Sequence, residues 1–525
     1  MKKNLFIAVF LFVSVCLFGQ GPGEIDAYRF SKNDLSGTAR GQAMGGAFGA
    51  LGGDMTGVAI NPAGIGIYRR SEVIFNAALT FNQTKALFNG TEEKKGNTKL
   101  SCDNFAYIGY FPLRNDDSYS LNFGFNYNRL KSFDRKYQVS GKDMASSLTD
   151  YMAEAAHGTQ KSWWDKYAEI NDQFYSNDMN SPRWLGILGW NGYLINANPN
   201  SNNAYESLLN KGETVDPKLV VHERGSIGAY DFTLGANLND MLYVGTTLTY
   251  TDISYVANTL YSEKFDIGGF GLDNEYNTEG SGLQLKLGVI FKPVDALRLG
   301  VSYHSPTWYN LTDYYRGILT PNGIYDGGDM LVNPVSTPEG AYYEYNFRTP
   351  DVWTFSVAAV LGKVAVISLD YEYKDYAGMK FSKRYANDYD FGSENDYIKE
   401  DFKSSSTIRA GAEIRFTPRF SGRLGTAWTQ NPYESAFKNS EVEIGIAGTI
   451  PNYTFDGNVL YLTTGIGYRF TPSLYMDVAL VYRTQQDELH FFSPVFYDDG
   501  NSLASTPSKL TNSSLKTLVT FGYKF

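Results

Sequence analysis

From residue 71 onward the chain alternates, one parity carrying aromatic and aliphatic residues and the other small or polar ones. Tyr119, Leu121, Phe123, Phe125 and Tyr127 interleave with Ser120, Asn122, Gly124, Asn126 and Asn128, and Leu283, Leu285, Leu287, Val289 and Phe291 with Gln284, Lys286 and Gly288. A period of two puts the two sets on opposite faces of a strand, one suited to lipid and the other to water. The same test along the chain predicts strands at 71–83, 101–112, 117–137, 219–238, 241–257, 280–292, 296–308, 350–362, 363–377, 404–417, 419–430, 458–470, 474–487 and 514–525. Six connections are tight and rich in Pro, Asp, Asn or Gly, at Pro112 to Asp117, Asn239-Asp240, Lys292 to Asp295, Gly362-Lys363, Thr417-Pro418 and Thr471 to Ser473. The other seven are long, and short and long alternate. That is the pattern of short inner turns and longer outer loops. The predicted fold class is all-β: a 14-stranded antiparallel transmembrane β-barrel over 71–525, with a long, partly helical extracellular loop at 138–218.

Composition supports this reading over a set of soluble domains. Aromatics make up 15% of the 525 residues and charged residues only 19%. Residues 1–19 read as a signal peptide, with Lys2 and Lys3 ahead of an apolar run from Leu5 to Phe18. Beyond it no stretch approaches the ~20 apolar residues of a membrane helix. An exported chain of this kind is expected in the outer membrane of a Gram-negative bacterium. Its partners there are outer-membrane lipid and the barrel-assembly machinery, which reads aromatic-ended terminal strands such as Val519 to Phe525. Removal of the signal leaves Cys102 as the one cysteine, so no internal disulfide is expected. A net charge of -10 argues against nucleic acid.

Residues 20–70 do not alternate. Their core is a run of glycine and alanine from Gly37 through Gly45 and Gly46 to Asp54, followed by Asn61-Pro62-Ala63-Gly64. Glycine permits tight curvature and close approach to a wall, which suits a hatch folded inside a barrel. The spacing matches no phosphate-binding loop. These residues, from Ala39 to Phe48, then Asp54 and Asn61 to Gly64, resemble the FadL/TodX/OmpP1 family of outer-membrane transporters for hydrophobic compounds, in a Bacteroidota-type form. The resemblance implies an N-terminal hatch in the lumen and passive uptake of small hydrophobic molecules such as long-chain fatty acids. Gating residues on this reading are Gly45, Gly46, Asp54, Asn61, Pro62 and Ala63. The same architecture also resembles protein-binding shuttles of a secretion system, so exported protein cargo is the alternative partner.

Two further groups are candidates for ligand contact. Trp163 and Trp164, with the run Trp184, Leu185, Ile187, Leu188 and Trp190, form either a small core on the barrel rim or a surface that captures a hydrophobic ligand. Inward parity places Asp370, Glu372, Arg409, Glu413 and Arg415 in a lumenal charge network that anchors the hatch or binds an acidic head group. The four histidines are scattered, so no catalytic site, metal site or cofactor is expected.

Overall fold

Alternating residues pair into a closed cylinder in the computed structural model, which describes residues 21–525 apart from 114–118, 163–183, 267, 327–328, 331–332, 338–339, 363, 386–389, 440, 446 and 497–501. The predicted signal peptide lies outside these residues. The wall strands are β1 (Glu72–Phe88), β2 (Thr91–Pro112), β3 (Tyr119–Ser132, carried on by Arg135–Ser140), β4 (Asp216–Leu238) and β5 (Leu242–Phe265). Next come β6 (Gly268–Val294), β7 (Leu297–His304 and Trp308–Asn322), β8 (Ala341–Arg348 and Val352–Leu361), β9 (Ala365–Asp375) and β10 (Ser404–Arg415). The last are β11 (Phe420–Thr429), β12 (Val459–Arg469), β13 (Leu474–His490) and β14 (Ser508–Lys524). Each pairs antiparallel with its sequence neighbours, and β14 returns to β1 from Glu72↔Lys524 to Leu87↔Lys509. Closure leaves no strand edge unpaired, which lipid requires.

Outward positions next to the inner turns carry no charge: Val73 to Phe81 on β1, Leu242 to Tyr250 on β5, Leu283 to Phe291 on β6, and Leu474 to Tyr482 on β13. These spans match the ~9–11 residues a tilted strand needs to cross a bilayer. Aromatics flank them, with Phe291, Phe470 and Tyr523 at the inner side and Tyr250, Trp308, Trp353 and Trp428 at the outer, as girdles at the two interfaces. Arginine in place of Leu287, mid-span and lipid-facing, is expected to destabilise the barrel by about 2–4 kcal/mol. Reversible unfolding in vesicles measures this; arginine at Lys218, outside the lipid, leaves stability unchanged.

Strands run longer than predicted at their outer ends, because pairing continues where lipid no longer demands an apolar face. β6 begins at Gly268 rather than 280, and β5 ends at Phe265 rather than 257. β7 and β8 are also interrupted at one register. His304 pairs with Val352 and Trp308 with Arg348, which sets Pro306 opposite Pro350 in the gap. Neither proline has an N–H to give the ladder. Hydroxyls fill in: Thr307 N–H donates to Thr349 Oγ1 (2.9 Å) and Leu285 N–H to Ser305 Oγ (3.0 Å).

At the outer mouth, helices α4 (Leu148–Ala156) and α5 (Trp184–Asn191) join Phe491, Phe492 and inward-facing residues at the outer ends of the strands in one apolar core. This core roofs part of the barrel mouth.

Candidate functional site

Three short helices build the lumenal segment: α2 (Ala39–Ala43), α3 (Met55–Ile60) and η1 (Pro62–Ile67), a 3-10 turn. Local chemistry sets each start. Thr38 Oγ1 accepts from Gly41 N–H (3.1 Å), Asp54 from Thr56 N–H (2.9 Å), and Asn61 from Ala63 N–H (3.1 Å) with Pro62 in the first helical position. Asp54 Oδ1 also accepts from Thr38 Oγ1 at 2.8 Å, binding two of the helix starts together. Gly45 and Gly46 turn the chain with φ of +65° and +76°, a region closed to most side chains.

The segment then runs around the inner wall. Ala43 sits on Gly465 of β12, Met44 and Gly45 on Gly425 of β11, and Met44 on Gly411 of β10. Phe48 and Gly49 donate their N–H groups to one oxygen of Asp370 on β9, each at 2.9 Å. Gly49 abuts Ser356 of β8 and Gly300 of β7, Asn61 and Pro62 abut Gly288 of β6, Pro62 and Ala63 abut Gly245 of β5, and Ile65 meets Gly235 of β4 and Gly124 of β3. At most of these wall glycines a Cβ would overlap segment atoms. Asn61 Nδ2 donates to Gly49 O (2.8 Å) and to the β6 carbonyl of Val289 (3.1 Å). His304 Nε2 lies 2.8 Å from the carbonyl of Ile60, so this lumen-facing histidine holds backbone.

Charge ties the segment down as well. Arg40 donates to Glu413 through Nε (2.8 Å) and Nη2 (3.2 Å), and Arg423 bridges Glu413 (2.6 Å) and Asp477 (2.6 Å). Glu372 pairs with Arg409 (2.7 Å) and Lys374 (2.9 Å). Asp370, Glu372, Arg409 and Glu413 are thus brought to the lumenal face. Arg415 stands exposed at the inner rim beside the Thr417 turn, and no ion pair holds it among the described residues. The same inward parity covers Arg423 and Asp477; the pairing of Glu413 with Arg40 is what the sequence reading missed, and the lone charge inside a small-residue run was the available signal.

Above this ring the chain from Lys32 to Leu35 crosses the lumen and divides a cavity into lobes of about 200 and 170 Å³. Both lobes are lined by Tyr28, Leu35, Lys131, Asp456, Tyr461 and Arg483. Lys32 pairs with Asp456, and Arg135 with Glu223 (2.6 Å). The lining is therefore half apolar, with cations and carboxylates interleaved.

Helix α1 (Glu24–Ser31) closes the outer end. Tyr28 lies 5.2–5.8 Å from the rings of Tyr376, Phe402 and Tyr433, and Glu24 accepts from Gly445 N–H at 2.9 Å. Burial, opposed by those backbone N–H groups and reinforced by Asp401, pushes the Glu24 carboxyl up to about 8. A carboxyl raised on folding gives stability that is full below its ordinary value near 4.5 and lost as pH rises through about 8. Docking of α1, followed by hydrogen exchange of residues 24–31, is expected to loosen over that window, and Glu24→Gln to flatten the dependence.

Trp184, Leu185, Ile187 and Leu188 are buried in the rim core, where Trp184 Nε1 donates to Tyr315 Oη at 3.1 Å. Trp190 is half-buried against Tyr205, ring centroids 5.7 Å apart. Trp163 and Trp164 lie outside the described residues.

A closed barrel with an uncharged outward band, its lumen crossed by its own N-terminal segment beneath a mixed cavity, defines an outer-membrane transport protein. Residues 232–491 match the model of the family of outer membrane protein transport proteins (OMPP1/FadL/TodX). No curated protein matches the sequence. Among solved structures it is similar to a FadL homologue of Pseudomonas aeruginosa, at 11% identity and a TM-score of 0.49 over 94% of this chain and 100% of that one. It is also similar to the toluene transporter TodX of Pseudomonas putida, at 11% identity and 0.47 over 94% and 99%.

Proposed function

We propose that this chain is a passive outer-membrane channel for small hydrophobic molecules bearing an acidic group, with long-chain fatty acids as the test substrate. The divided cavity carries the reading: its apolar walls at Leu35, Tyr28 and Tyr461 suit a hydrocarbon chain, and Lys131 and Arg483 suit a carboxylate. The molecule enters between the outer loops and passes when the Lys32 to Leu35 crossing shifts. Gly45, Gly46, Asp54, Asn61, Pro62 and Ala63 act as the fixed base of that gate. The apolar side chains of α5 are committed to the rim core, which weighs against a protein-cargo shuttle.

Uptake of labelled long-chain fatty acid into liposomes tests the proposal. The full chain should take it up faster than empty liposomes do, and Arg483→Ala should slow the acid more than its neutral methyl ester. Uptake equal to that of empty liposomes refutes the channel; equal loss for acid and ester refutes the role of Arg483.

A further inference from the structure

Above the lipid band the outward face of β3 and β4 is cationic, in a chain whose net charge is -10. Lys218, His222 and Arg224 alternate along the outer half of β4, and Lys136 on the β3 extension lies directly across from His222. Lys136, Arg224 and Lys218 are exposed. None of the three is held in an ion pair among the described residues, whereas Lys85 and Lys94 share Glu92, and Arg384 pairs with Glu344. Asp134, the neighbouring carboxylate in the break between the two stretches of β3, is taken by Lys99. His222 reports the local field: after burial, Lys136 and Arg224 are the largest influences depressing its protonation, with Asp134 opposing them.

Height decides what such a patch meets. Tyr230 is the last large apolar residue facing outward on β4, and Gly228 and Ser226 follow before Arg224. Six residues at ~3.3 Å, tilted ~45°, put Arg224 about 14 Å above Tyr230. That level holds the phosphates and acidic sugars of outer-leaflet glycolipids. The face is a sheet rather than a concave pocket, with Val220, Val256 and Leu260 between the charges, so it suits a headgroup lying along it more than a free ion. We propose that Lys136, His222, Arg224 and Lys218 form a docking face for the phosphorylated headgroup of an outer-leaflet glycolipid. It lies outside the barrel and is independent of the transport reading.

The test is binding of fluorescent lipopolysaccharide to the full chain in zwitterionic detergent. Cations at a membrane surface contribute about fivefold each in affinity, so K136Q/R224Q should weaken binding by about 30-fold and flatten its salt dependence. K136R/R224K should bind like the parent, and K94Q/K509Q, two outward lysines on other strands, should too. The heat-dependent gel shift of each variant verifies the fold, and the conservative variant keeps the test decisive if the glutamines impair folding. Unchanged binding by K136Q/R224Q, an equal loss in K94Q/K509Q, or equally tight binding of dephosphorylated lipopolysaccharide overturns the proposal.

Discussion

Replacing Gly425 with valine is expected to make the barrel conduct while leaving its wall intact. A Cβ at this position would overlap the carbonyl carbon of Met44 and the nitrogen of Gly45, backbone atoms that cannot rotate away. Overpacking of this kind costs about 1–3 kcal/mol and sometimes more. The wall is the stiffer party, since Gly425 is laddered to Gly411 on one side and Thr463 on the other. The segment gives way instead, losing the hydrogen bond from Gly45 N–H to Thr463 Oγ1 (3.1 Å) with it. Planar-bilayer current would rise above that of the parent, with circular dichroism unchanged. Gly271→Val is the control, because a Cβ there meets open space. A folded Gly425→Val barrel that stays closed would show that the glycine track does not hold the segment.

The second large effect falls on Glu413. This carboxylate serves Arg40 from the segment and Arg423 from the wall, so Glu413→Gln leaves two guanidiniums short of charge in the lumen. Removing one partner of a buried pair typically costs about 3–5 kcal/mol. Asp477 still holds Arg423, so the loss falls mainly on Arg40 and loosens residues 37–46 in hydrogen exchange. Adding Arg40→Gln should recover part of it, with a coupling of about 0.5–3 kcal/mol. Additive effects of the two changes would mean that the contact does not anchor the segment.

Strand number and closure could be read from the sequence because lipid enforces alternation on every wall strand. Alternation fades once a strand leaves the bilayer: Lys218 and Arg224 on β4 and Glu275 on β6 face outward where only water and headgroups constrain them. The predicted outer ends therefore fell short. Inward parity puts Asp370, Glu372, Arg409, Glu413 and Arg423 on the lumenal side of their strands, but it does not pair them with the segment, since Arg40 and Glu413 lie 373 residues apart in the chain. Parity also misled at Arg415, which belongs to the inward set yet sits one residue before the turn at Phe416, below the reach of the segment. The run from Trp184 to Trp190 was ambiguous because composition alone does not separate a displayed apolar surface from a private core. In the fold these side chains pack with α4 and Phe491.

The glycine track also constrains the order of assembly. Residues 43–65 touch strands from β12 round to β3, so the segment fits the wall only as a curved strip inside a nearly complete cylinder. A cylinder that sealed first would have to admit the strip through its inner mouth and seat it against one strand after another, each fit too close for sliding. The wall glycines are thus shaped for a segment already in register against them, which ties the fold of the barrel to that of residues 43–65.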